Sequence, residues 1–147
     1  MWQLVKENLD TKKRNGCGTY SSVKQALAYA PDVLDWALDE VGADIDEKDE
    51  LIGDFMQCGG KLAIVCNGYQ IYLTKQCLDV YGNPVREPSG CIRIDGKALW
   101  TDPDGGGKYL VKVNRIDGPE LVTCVEVSDE GEDCGEVECS WNELKAV

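Results

Sequence analysis

At 147 residues the chain has the length of one domain, enough to bury roughly 68 to 70 per cent of its unfolded surface without a disulfide or metal staple. Its 27 acidic and 15 basic residues, with no histidine, give a net charge of −12, which argues against direct binding of a nucleic-acid duplex, since phosphates dominate that affinity. No stretch near the start has the apolar run of a signal peptide and none approaches the ~20 apolar residues of a membrane span, so a cytoplasmic protein with reduced, mostly buried cysteines is expected.

Residues 1–19 mix polar and basic side chains around Lys12-Lys13-Arg14 and end in Asn15-Gly16-Cys17-Gly18, which reads as a loop or arm. From Ser22 the spacing turns helical, with Val23, Ala26, Leu27 and Ala30 on one face and Ser22 with Gln25 as a capping box. Proline pushes the preceding residue out of the α region, so the helix should end at Ala30-Pro31 and a second should run from Pro31 to about Val41. Projected at 100° per residue, that second helix gathers Val33, Leu34, Ala37, Leu38 and Val41 in one arc and sets Asp32, Asp35 and Asp39 opposite, with Trp36 on their flank. A third helix is expected from Asp46 as N-cap, with Leu51, Ile52, Phe55 and Met56 as its buried face and Cys58-Gly59-Gly60 as its stop.

Lys61 to Lys75 is two short apolar runs joined by Asn67-Gly68, the strongest short signal for a two-residue hairpin. Counting outward from the turn pairs Cys66 with Tyr69, Ile64 with Ile71 and Leu62 with Leu73, so one face of the ribbon is apolar and needs a cover. Gln76 to Ser89 reads as a long loop. Asp95-Gly96 predicts a second hairpin that pairs Ile92 with Leu99 and Cys91 with Trp100. Strands follow over 108–114, 120–127 and 136–141, and a short helical turn closes the chain. Arg93-Ile94-Asp95-Gly96 is echoed by Arg115-Ile116-Asp117-Gly118, read as two hairpins with the same turn chemistry rather than as a repeat architecture.

Gly16-Cys17-Gly18-Thr19-Tyr20-Ser21-Ser22-Val23 resembles the phosphate-covering glycine loop of protein kinases, with Ser21 at the third glycine. No lysine strand of the kinase type follows, and without histidine there is no kinase catalytic loop. What remains is an anion or nucleotide-phosphate cradle from Gly16, Gly18, Ser21 and Ser22 near Lys12, Lys13 and Arg14. Asp102 to Gly107 lacks the downstream ligands of a calcium loop. The closest cysteines, Cys134 and Cys139, do not make a zinc pair, so neither a metal nor another cofactor is expected. No base stands near a nucleophile in any recognisable pattern, and a non-enzyme is expected.

The charge is blocked rather than interspersed: residues 31–56 hold ten acidic and one basic side chain, and residues 116–147 hold the same numbers. Carboxylates along a stiff helix can imitate a phosphate backbone and occupy a basic groove. The expected partner-binding set is therefore Asp32, Asp35, Trp36, Asp39, Glu40, Glu47, Glu50 and Asp54. In size and charge the chain is similar to small acidic inhibitors from phages and mobile elements, such as anti-restriction and anti-CRISPR proteins. The fold expected is a single α+β domain of three short N-terminal helices (1–57) on a mainly antiparallel, curled or barrel-like sheet of six to seven strands (58–147). The function expected is a protein-protein interaction module that blocks a nucleic-acid-binding surface. The alternatives are a cytosolic nucleotide or small-anion binder and a structural or assembly protein, for which homo-oligomers would be natural.

Overall fold

The computed structural model describes the backbone of residues 1–127 and 133–147, and the side chains of all of these but 133 and 134. Two compact units divide the chain, Met1–Cys91 and Ile92–Val147. Among the described residues there are two α-helices and two sheets, of four and five strands, and no closed barrel. The expectation of three helices on a single six-to-seven-stranded sheet is thereby corrected.

The first unit contains β1 (Trp2–Asn8), β2 (Arg14–Tyr20), α1 (Val23–Glu40), α2 (Ile45–Gln57), β3 (Ile64–Cys66) and β4 (Tyr69–Lys75), with antiparallel strand order β2-β1-β4-β3. The Asn67-Gly68 turn is present, both residues at positive φ, and pairs Ile64 with Ile71 and Cys66 with Tyr69 as counted. The segment expected to be an arm is instead the β1–β2 hairpin, and its glycines lie within a strand. Alternation in β1 is disguised because two of its buried side chains on one face, Gln3 and Glu7, are polar. Leu4, on the other face, pairs with Leu73 and joins Ile64, Cys66 and Ile71 beneath the helices.

One helix, α1, replaces the two expected on either side of Ala30-Pro31. Ala26, Ala30, Leu34, Ala37 and Leu38 form an unbroken buried stripe across the proline, and that packing outweighs its local preference. Pro31 itself is exposed, where water can satisfy the Leu27 carbonyl that its ring leaves without a donor. The second helix also starts earlier than expected. Asp44 rather than Asp46 is its N-cap, since Asp44 accepts from Glu47 N–H at 2.8 Å while Glu47 accepts from Asp44 N–H at 3.4 Å, closing a reciprocal box.

The second unit is antiparallel: β5 (Lys97–Thr101), β6 (Lys108–Gly118), β7 (Leu121–Val127), β8 (Asp133–Cys139) and β9 (Leu144–Ala146), in order β8-β7-β6-β5-β9. The expected hairpin at Asp95-Gly96 does not form. Gly96 N–H bonds back to Arg93 C=O at 3.0 Å in a tight turn, and β5 then pairs Leu99 with Leu110 and Trp100 with Tyr109. The echoed Arg115 to Gly118 is the end of β6, followed by a Pro119-Glu120 turn, so the two tetrapeptides have different structural roles.

Candidate functional site

α1 and α2 cover one face of the four-stranded sheet and hold the first acidic block outward. At 100° per residue, Asp35, Asp39, Asp32, Trp36 and Tyr29 fall within an arc of about 120° on α1. All five are exposed, Trp36 and Tyr29 each at 55 per cent, while Leu34, Ala37 and Leu38 are buried on the opposite side. Trp36 therefore does not fold down against the neighbouring helix. Tyr29 was missed because a helix ending at Ala30 separates it from Trp36, although continuing the projection through Pro31 places both on one stripe. Its ring stacks on Tyr20, with centroids 6.0 Å apart.

Two cations hold this face in place. Lys48 on α2 reaches Asp39 at 2.7 Å and Asp35 at 3.1 Å, and Lys6 on β1 reaches Glu40 at 2.8 Å. Donating hydrogen bonds to Asp39 and then to Asp35 pushes the Lys48 ammonium above its ordinary value. Asp39 and Glu40 stand in the last turn of α1, where carboxylates oppose the helix dipole, and no basic residue occupies that turn. Of the other expected contacts, Glu47 is committed to the α2 cap, Glu50 is exposed and Asp54 is half-buried. In the second acidic block, residues 129, 130 and 132 lie outside the described residues.

The anion cradle is not assembled in the same way. Gly16 and Gly18 are strand residues paired to β1, and both the N–H and the hydroxyl of Ser21 donate to Gln25 Oε1, at 2.6 and 2.9 Å. Ser22 accepts from Gln25 N–H at 3.1 Å as the α1 cap. Lys12 and Lys13 are exposed in the β1–β2 turn, and Arg14 turns toward Glu7 at 2.8 Å and Glu87 at 3.7 Å.

That Arg14 contact belongs to a buried network on the sheet face opposite the helices. Glu7, 1 per cent exposed, accepts from Tyr72 Oη at 2.7 Å, from Arg14 Nε at 2.8 Å and from Gln70 Nε2 at 3.3 Å. Burial alone would lower the Arg14 pKa, but the hydrogen bond to Glu7 and nearby negative charge raise it. On the same face Gln3 Oε1 accepts from the N–H groups of Cys77 and Leu78, at 3.2 and 3.1 Å, fastening the 76–89 loop over the sheet. These bonds leave no described buried polar side-chain atom of the network without a partner.

Six of the described cysteines are buried and Cys17 is half-buried, all as free thiols, while the Cys134 side chain of the weighed Cys134–Cys139 pair lies outside the described residues. Among the described residues no group of three or more Cys, Asp or Glu side chains is placed to hold a metal ion. No described helix is long and apolar enough to cross a membrane. No protein-family model, curated protein or solved structure matches this chain.

Proposed function

We propose that the chain is a non-catalytic interaction module whose α1 face occupies a basic, nucleic-acid-binding surface of a partner protein. The observation that carries the reading is Trp36, exposed on an ordered helix among the outward carboxylates of Asp32, Asp35 and Asp39. A large aromatic beside charge is the usual composition of an interface anchor. Acids at the C-terminal end of α1 cost helix stability of about 0.3 to 1 kcal/mol each, so their placement there serves something other than the helix. Comparison with small anti-restriction and anti-CRISPR inhibitors rests on size and charge and belongs to this proposal alone.

A partner isolated with the protein should be released by nucleic acid and by salt, because both act on the same counterions. Trp36→Ala should weaken binding by about 2 kcal/mol, roughly 30-fold, while leaving stability within about 0.5 kcal/mol. Asp35→Lys with Asp39→Lys should abolish it. Binding that survives the double change, or that duplex nucleic acid does not compete away, refutes the proposal.

A further inference from the structure

On the outer face of the five-stranded sheet, the part formed by β6, β5 and β9 carries a pattern opposite to that of α1, while Glu136 and Glu138 continue the same face on β8. Its register sets Lys97 opposite Lys112, Leu99 opposite both Leu110 and Lys145, and Thr101 opposite Lys108. Directly opposed residues share a face, so four lysines surround the Leu99–Leu110 pair. Lys97, Lys108 and Lys145 are exposed and carry no ion pair among the described residues, Lys112 has a 4.0 Å contact to Asp95, and Leu99 is 39 per cent exposed. Residues 92–147 hold only six basic side chains against thirteen acidic ones, yet four of the six sit on this one face. Like charges directly opposite one another destabilise a sheet, which makes the Lys97–Lys112 pairing a feature retained at a cost.

We propose that this lysine-ringed face docks the outer face of α1 from a second copy of the chain. Complementarity is the argument. Trp36 and Tyr29, two helical turns or about 10.5 Å apart, supply an apolar centre for Leu99 and Leu110. Asp32, Asp35 and Asp39 supply the opposing rim for the lysines. A polynucleotide is a poorer occupant, because the chain's net charge of −12 repels phosphates and the lysine face has no aromatic side chain on which a base could stack. Two different patches meet in this contact, so assembly can continue beyond two chains into a ring or an open string.

The proposal shares with the preceding section the idea that the α1 face is adhesive, and the experiment separates the two. Mass is measured by sedimentation or light scattering on the full chain at about 20 mM and about 500 mM salt. The average mass should exceed the 16.2 kDa of one chain at low salt and return to it at high salt. Lys97→Glu with Lys145→Glu should give a monomer at low salt that still binds a basic partner, and Asp35→Lys with Asp39→Lys should also give a monomer. An equimolar mixture of these two variants sets the intact α1 face of one against the intact lysine face of the other, so complexes should form where neither variant assembles alone. Lys12→Glu with Lys13→Glu, which changes net charge equally but lies outside the face, should leave assembly intact. A wild-type chain that stays monomeric at low salt, a mixture that does not pair, or a control variant that dissociates overturns the inference.

Discussion

Glu7 shows what a single side chain does when it is buried with its charge. Three side-chain donors converge on it from β2 and β4, which fixes the register of both neighbours against β1. Glu7→Ala removes the acceptor and strands the Arg14 guanidinium and the Tyr72 hydroxyl. Breaking a buried pair from one side costs about 3 to 5 kcal/mol, and the low end applies because Arg14 keeps Glu87 within 3.7 Å. Urea unfolding should report that loss, and a smaller one for Glu7→Gln, which still accepts from Tyr72. Equal losses for the two variants would mean that the charge carries nothing. None of this was legible in the sequence, where a glutamate beside a lysine reads as surface; two of its three donors, Gln70 and Tyr72, lie more than sixty residues further along the chain.

Helix α1 poses the same question one level up, because its continuity contradicts a local rule. Interior proline costs a helix about 3 kcal/mol relative to alanine, of which about 0.4 to 1 is returned through a stiffer unfolded chain. Pro31→Ala should therefore stabilise the unit by about 2 kcal/mol, read as a higher urea midpoint with unchanged slope. No buried contact is lost, since Pro31 is exposed. A neutral or destabilising result would show that the helix is interrupted in solution. Local signals succeeded where geometry alone decides, as at Asn67-Gly68, with both residues at positive φ. At Asp95-Gly96 the same kind of signal failed, because only Asp95 has positive φ and the turn is bonded to Val113, which accepts from Asp95 N–H and donates its own N–H to Gly96 C=O. The acidic stripe was legible because its residues are close in sequence. The cations that hold it, Lys6 and Lys48, required knowing which strand and which helix lie beside α1.

Across the whole molecule, sheet number was the least legible feature, since pairings such as Leu4 with Leu73 or Trp100 with Leu144 span distances that no local pattern encodes. The cysteines, by contrast, were expected to be small buried groups, and their burial carries a pH dependence. Burial pushes the Cys17 and Cys66 thiols above their ordinary value of 9.0, and does the same to the Tyr20 phenol, whose ordinary value is 10.0. Cys124 lies 3.9 Å from Cys139 across β7 and β8. The first proton to leave that pair comes from Cys139, whose thiolate then accepts from Cys124 and, with burial, holds the Cys124 thiol up. Cys139, whose pKa is lowered, acts in the opposite sense to the groups that are pushed up. Below about pH 9 those groups, Cys17, Cys66, Cys124 and Tyr20, are protonated in both folded and unfolded chains, and their contribution is fully present. Above it the unfolded chain releases protons that the folded chain retains, so stability falls as pH rises, until the folded groups ionise as well. For a fully buried thiol such as Cys124 the slope has a ceiling of about 1.4 kcal/mol per pH unit. Urea midpoints under reducing conditions should thus hold steady from neutral pH to about 8.5 and decline beyond 9, with a shallower decline in Cys124→Ala. An alkaline decline of the same steepness in that variant would place its origin elsewhere, in the mutual repulsion of a chain that already carries −12.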